Sequence, residues 1–433
     1  MGQARTSRRR LLAASALLLA PALGLAAPAS AQQSAPTQQS APTQQTAPTQ
    51  PAAGVRVLRS SFESRFPQSM VFQLEAAVTG QVGRVTLNFR VADRRTLIAG
   101  DAGFTQLGSL RAEQSVDLAR RYLPPGTPLQ FYWQVEDARG QLFRSQSYQA
   151  VLEDRRFTWR QLRAPNVEVY WYRGDDVYGR ILLSLASRAL SQLAAESGVS
   201  LERPVKIFVY SDLDEFRSAS YRGGYEWVGG TFYPLEGVIL IFAPPNQQGA
   251  DIARRAIPHE LTHAVVHQVT DNPFGDVPQW LNEGLASRSE PAFSPDQADA
   301  LAKALAADKL LSLRAISGSF PVDPDEALLA YAESYSAVTF LLDQYGRTGV
   351  SQLLQAYREG VTHDEGLQRA LGVDMAELDR QWRAWLVPWA LQKSTPLVEP
   401  SADAATPTAV PPDRGLLEWI RSRAEAIWGR EGR

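Results

Sequence analysis

Cysteine is absent from this chain of 433 residues. That excludes disulfides, thiolate metal sites, thiol nucleophiles and a lipidated-cysteine anchor. It leaves imidazole and carboxylate as the strong metal ligands. Histidine is nearly absent too: there are four, and three of them, His259, His263 and His267, fall close together. No sign of charge dominates. With 44 Lys+Arg against 46 Asp+Glu the formal net charge is −2, and nothing in it points to nucleic-acid binding. Length alone suggests two or three domains.

Only one hydrophobic run is a candidate membrane segment. Arg8-Arg9-Arg10 precede an apolar stretch from Leu11 to Ala27, followed by the small-x-small pattern Ala29-Ser30-Ala31. The run contains Pro21 and Gly24 and is short for a spanning helix. Residues 1–31 therefore read as a signal peptide, with an uncleaved anchor as the other reading. Ser7 to Leu12 resembles a twin-arginine signal, so the expectation is an exported protein: secreted, periplasmic or at the cell surface. Removing 1–31 takes four Arg and no acid, leaving 40 basic against 46 acidic residues, a formal charge of −6. The hexad Gln-Gln-Ser/Thr-Ala-Pro-Thr then repeats three times between Gln32 and Thr49. With no hydrophobe larger than Ala it cannot bury enough surface to fold. Residues 32–54 read as a linker, a stalk suited to peripheral cell-envelope association.

Residues 55–155 read as all-β. Met70–Ala76, Arg84–Arg90 and Leu129–Val135 alternate apolar and polar residues, the period of a half-buried strand. Turn signals such as Pro124-Pro125-Gly126 separate them. Such strands suggest an immunoglobulin-like or fibronectin-like β-sandwich, with no chemistry evident in it. From Asn166 the pattern turns mixed. Val167–Tyr172 and Val205–Tyr210 read as strands around a helix from Tyr178 to Glu196, ended by Gly198. Gly223-Gly224 and Gly229-Gly230 bracket a flexible or bulged stretch. Gly237–Ala243 forms a strong strand. The rest is helical: one helix opened by Ser294-Pro295-Asp296, then about Asp325–Tyr345, Val350–Arg358 and Asp374–Gln392. His363 looks like the start of a capped helix. Thr395–Arg414 reads as a second linker, and Leu416–Trp428 as an amphipathic helix that docks on the rest or lies in a membrane interface.

The chemistry gathers at Pro258-His259-Glu260-Leu261-Thr262-His263. Residues four apart on a helix share a face, so His259 and His263 can offer two ring nitrogens to one metal ion. Glu260 sits beside that face, within reach of a water on the metal. This His-Glu-x-x-His arrangement is that of a zinc hydrolase. Downstream, Glu283 is embedded in Trp280-Leu281-Asn282-Glu283-Gly284-Leu285-Ala286. A carboxylate in such surroundings is costly to bury unless something positive pairs with it, and zinc is a fitting partner. Pro258 either opens the helix or kinks one that begins near Asp251. His267 continues the face but lies about 12 Å along the axis from His259, too far for the same ion.

His259-Glu260-x-x-His263 followed by Asn282-Glu283-Gly284-Leu285-Ala286 resembles the gluzincin metallopeptidases, and most nearly the peptidase MA-like domains of exported bacterial proteins. The resemblance covers about residues 165–393. It implies an α+β zincin-like domain with a helical C-terminal half, a Zn²⁺ cofactor held by His259, His263 and Glu283, and Glu260 as general base acting on a peptide or protein substrate. Gluzincins commonly use a downstream Tyr or His to stabilise the oxyanion. Tyr331 sits where the family pattern would place such a residue, with Tyr335 on the same helix face as the alternative and a plain core role open for either. The strand before the zinc helix in zincins is the sheet edge on which substrate lies. Gly237–Ala243 fits that description, or that of a buried strand. No Gly-x-Met-Glu-Asn run is present, so nothing supports an aminopeptidase. Two other functions stay open: hydrolysis of a non-peptide amide, or an envelope-binding scaffold with a vestigial zinc domain.

Overall fold

The computed structural model describes residues 54–91, 94–197, 199–220 and 229–394. The leader, the hexad repeat, the helix stop at Gly198, the Gly223-Gly224 stretch and everything after 394 lie outside them. Among the described residues the first nine elements are strands: β1 (Val55–Arg65), β2 (Ser69–Val78), β3 (Val82–Val91), β4 (Ile98–Asp101), β5 (Gly103–Leu107), β6 (Ser109–Asp117), β7 (Pro128–Asp137), β8 (Leu142–Arg144) and β9 (Tyr148–Val151). They form two antiparallel sheets, ordered β1-β2-β6-β5 and β4-β3-β7-β8, with β9 also pairing β7. The alternation read from sequence is what places one face of each strand inside. Phe72 on β2 meets Phe89 on β3 at 5.6 Å and Phe131 on β7 at 5.0 Å between ring centres, so the two sheets share one core.

The third sheet is mixed: β10 (Arg160–Ala164), β11 (Val167–Trp171), β12 (Val205–Tyr210), β13 (Gly230–Tyr233) and β14 (Val238–Phe242), in the order β10-β11-β12-β14-β13. The three inner strands are parallel and the two outer ones antiparallel to their neighbours. Helices α1 (Asp176–Ser197), α2 (Leu213–Ala219), α3 (Gln247–Thr270), α4 (Gln279–Arg288), α5 (Pro295–Ala306), α6 (Pro324–Arg358), α7 (His363–Leu371) and α8 (Met375–Ser394) complete it. The strong strand before the motif, β14, is an inner strand. The edge is β13, too short and too mixed in composition to stand out in the sequence.

Near-continuous hydrophobicity in β12 and β14 reflects burial on both faces. Ile207, Val209, Ile239 and Ile241 face the helices, in one core with α1, α3, α4 and α6. Phe208, Tyr210, Val238 and Leu240 face the other way, into the core of the sandwich. Trp159 packs edge-on to Phe208 at 5.1 Å, and Phe157 stacks on Tyr172 at 4.0 Å. Burying one such aromatic contributes about 1.5–3 kcal/mol. The sandwich is thus the second cover of this sheet.

Two local expectations are resolved by backbone geometry. α3 runs through Pro258 rather than starting there. The helices expected at 325–345 and 350–358 form one span, broken at Gly346, whose φ of 65° and ψ of −175° are not helical. Ser294 and Thr362 each cap a helix with a reciprocal box, and Trp382 is fully buried while Trp385 and Trp389 pack partly buried against the core.

Glu333 on α6 is an unusual core residue: it is 0% exposed and accepts one hydrogen bond, from the Leu311 N–H at 2.8 Å. Burial pushes its carboxyl from 4.5 up to about 8. Between those values the folded chain keeps a proton that the unfolded chain has lost, so stability falls as pH rises through this window. Glu333→Gln removes that titration and retains an acceptor for Leu311. Relative to the variant, the native chain is expected to lose up to about 1.4 kcal/mol per pH unit between 4.5 and 8. Urea unfolding of both proteins across this range checks it; parallel curves would refute the assignment.

Candidate metal centre

α3 is capped by Asn246, whose side chain accepts the Gly249 N–H at 2.9 Å. It carries His259, Glu260 and His263 into the interior. Pro258 cannot donate to the preceding turn, and its own carbonyl accepts a second bond from Thr262 Oγ1 at 2.9 Å. The chain then turns through 271–277 and returns as α4. The start of α4 is pinned to the 312–317 turn by Gln279 N–H to Ser317 O (2.8 Å) and Trp280 N–H to Ile316 O (3.2 Å). Trp280 and Leu281 are fully buried, which fixes the rotation of α4 and turns Glu283 toward α3.

The result brings together the three residues singled out as metal ligands. Glu283 Oε2 lies 3.6 Å from His259 Nε2 and 3.6 Å from His263 Nε2. The two rings are 4.8 Å apart at 78°, and the three donor atoms lie within 4.8 Å of one another. Tetrahedral donors about 2.1 Å from zinc sit roughly 3.4 Å apart, close to the spacing of Glu283 Oε2 from each ring nitrogen. Glu283 Oε1 accepts from Gln279 Nε2 at 3.0 Å, whereas Oε2 is buried with no hydrogen-bond partner. A buried carboxylate oxygen facing two imidazole nitrogens is what a divalent cation satisfies. The donor set fits the metal.

Each ring is held from behind. His259 Nδ1 is 2.9 Å from Glu290 Oε1, and His263 Nδ1 is 3.0 Å from Asn282 Oδ1. With each Nδ1 engaged by these oxygens, both Nε2 atoms face inward, the orientation a ligand needs. Glu290 escaped the sequence reading. It stands seven residues, two helical turns, after Glu283, but two positions past the end of α4, where periodicity stops being informative.

Charge at the site is finely divided. Burial opposes a charge on His259, yet the neighbouring carboxylates of Glu283 and Glu290 outweigh it and hold the imidazole well above the usual histidine range. Burial likewise pushes Glu283 up, but the neighbouring His263 and His259 outweigh it and hold the carboxyl below its ordinary value. Glu260, 4% exposed, is raised: burial dominates, opposed by the two histidines and by a hydrogen bond from the Phe232 backbone. Glu260 also lies against β13. A Cβ on Gly230 would sit 2.8 Å from Glu260 Cγ, so only glycine permits this approach.

These side chains line a cleft of about 670 Å³ with β13 along one wall and the 271–277 turn along another. Tyr331 lines it too, with its ring edge-on to Phe320 at 5.0 Å. Tyr335 stacks on Phe293 at 4.5 Å and is not among the lining residues. His267 faces the cleft one turn beyond His263, 6.1 Å from the Phe232 ring, and burial lowers its pKa. His363 opens α7 as expected, and its Nε2 is 3.1 Å from Asp276 O.

Fold and site define a class first: an α+β domain whose cleft holds two histidines and a carboxylate, a donor set of the kind that binds a divalent metal, beside a buried glutamate. Residues 185–388 match the family model of the Peptidase MA superfamily, so this segment is similar to the domains of that superfamily. The match spans all the donor residues, from within α1 to within α8. No curated protein matches the chain.

The backing contacts make a prediction independent of activity. Glu290→Gln should weaken zinc affinity about 10- to 100-fold, and Asn282→Ala should weaken it similarly; Glu283→Ala should abolish stoichiometric binding. Because His259 must give up a proton to ligate, affinity should also fall as pH is lowered. Competition with a chromophoric chelator, repeated across pH, measures all four. Unchanged affinity in Glu290→Gln would mean that the His259 contact is incidental.

Proposed function

We propose that the chain is an exported zinc-dependent peptidase of gluzincin type. The observation that carries this reading is the unmatched Glu283 Oε2, 3.6 Å from the ring nitrogens of His259 and His263, inside a domain that matches the Peptidase MA superfamily. Those three residues would hold Zn²⁺. Bound zinc supplies Lewis acidity, lowering the pKa of water and polarising a carbonyl.

The chain's own residues do the rest. Glu260 takes the proton from the attacking water and passes it to the leaving amine. Its raised pKa brings it nearer the working pH of a general base. Burial keeps that carboxylate out of bulk solvent, and the Phe232 N–H orients it. Tyr331 donates its hydroxyl to the developing oxyanion. Its position on the cleft wall favours it over Tyr335. An extended peptide lies along the free side of β13, the edge strand, and pairs with its main chain.

Export rests on the N-terminal Arg8-Arg9-Arg10, apolar run and Ala29-Ser30-Ala31 pattern. We further infer that the first domain is immunoglobulin-like. Its sheet orders, β1-β2-β6-β5 and β4-β3-β7-β8/β9, correspond to ABED and C′CFG when strands are lettered along the chain.

Zinc stoichiometry combined with cleavage of a quenched-peptide library tests the proposal. Wild type should bind one zinc and cleave; Glu260→Gln should keep the zinc and lose roughly two or more decades in kcat. A Glu260→Gln protein cleaving at the wild-type rate would end the mechanism, and wild type without bound zinc would end the reading.

A further inference from the structure

The cleft wall β13 is gripped from behind by the sandwich. We propose that Arg94 and Tyr122, in the sandwich domain, are positioning residues that hold the β13–β14 hairpin so that β13 meets substrate in a fixed place beside Glu260. The catalytic consequence rests on the peptidase reading; the clamp itself does not.

β13 has four residues and, among the described residues, pairs with β14 alone. Its side chains alternate between faces. Gly230 lies against Glu260, and the Phe232 ring approaches His267, both on α3. Tyr233 points the other way, with its ring 5.2 Å from that of Tyr122. Tyr122 and Tyr233 share a hydrogen bond, and the Tyr122 hydroxyl also donates to Ala219 O at 2.5 Å. One sandwich side chain thus ties the hairpin to the end of α2. At the hairpin's turn Glu236 forms an ion pair and hydrogen bond with Arg94, which lies between β3 and β4. Their side chains are 8% and 30% exposed. At that burial, removing one partner leaves the other's charge poorly compensated.

These contacts lie on the sheet face opposite α3. Loosening them frees the strand that substrate pairs with and leaves His259, His263 and Glu283 on their own helices. A residue that merely stabilised the fold would affect both alike. That difference is measurable.

The experiment uses the full chain with Arg94→Ala, Arg94→Lys, the charge swap Arg94→Glu/Glu236→Arg, and Tyr122→Phe as a second route should Arg94→Ala fold poorly. Hydrogen exchange of amides in 229–237 should accelerate about tenfold or more in Arg94→Ala and Tyr122→Phe, with α3 amides unchanged. Zinc affinity by chelator competition should stay within about twofold. KM for the quenched-peptide library should rise about 3- to 30-fold with a smaller change in kcat, and Arg94→Lys and the swap should recover most of the loss. Exchange at 229–237 that stays at the wild-type rate, or that rises equally in α3, overturns the clamp. If wild type cleaves none of the peptides, the peptidase reading fails, and the exchange comparison still decides the clamp.

Discussion

A buried carboxylate oxygen with no donor among the described residues, held between two imidazole nitrogens, is the constraint on which the rest of the structure turns. Leaving such a group unmatched costs several kcal/mol. The surroundings do not relieve that cost by opening to water. They tighten it: Trp280 and Leu281 lock α4 in place, Gln279 occupies the other oxygen, and Glu290 and Asn282 aim the rings. A site that invests so many buried contacts in one orientation is preorganised for a cation.

The mixed sheet makes this possible by serving two cores at once. Helices carrying the donor set cover one face; the sandwich covers the other with aromatic residues on the alternate positions of the same strands. Tyr210, on the sandwich side, donates to Asp154 Oδ2 at 2.9 Å, and Lys206 Nζ reaches Gly126 O at 2.7 Å. A sheet hydrophobic on both faces needs both covers. The N-terminal sandwich is therefore a structural half of the core of the domain that carries the candidate metal centre, rather than a module hung beside it. Its grip on the β13–β14 hairpin extends that dependence to the cleft.

Much of this was legible in the sequence because local periodicity carried it. Two histidines four apart on an apolar helix face, a lone glutamate among Trp280, Leu281 and Leu285, and Ser294 or Thr362 ahead of a helical run each announce their geometry within a few residues. What stayed hidden depends on distant partners. β13 has four residues and an edge position, and its identity comes from pairing with β14. Gly230 matters through its approach to Glu260, thirty residues on. Continuous hydrophobicity marked β14 as buried, but could not say that its neighbour, and not β14 itself, would be the edge. Glu290 lies just past the helix where i, i+7 spacing loses force.

The two carboxylates nearest the rings show how environment can divide roles between like side chains. Glu260 and Glu283 are almost equally buried, at 4% and 7% exposure, so burial alone would push both toward the neutral form. Their positions relative to the histidines part them. Glu283 lies between both rings, whose nearness outweighs burial and holds its carboxyl below the ordinary value. Glu260 stands to the side, where the histidines help less and the charge of Glu283 itself works against ionisation. The same burial thus leaves one carboxyl lowered and the other raised. Groups of one chemical type whose pKa values are driven apart within a single cleft are how acid–base assignments are recognised, and here the division agrees with the roles proposed for them.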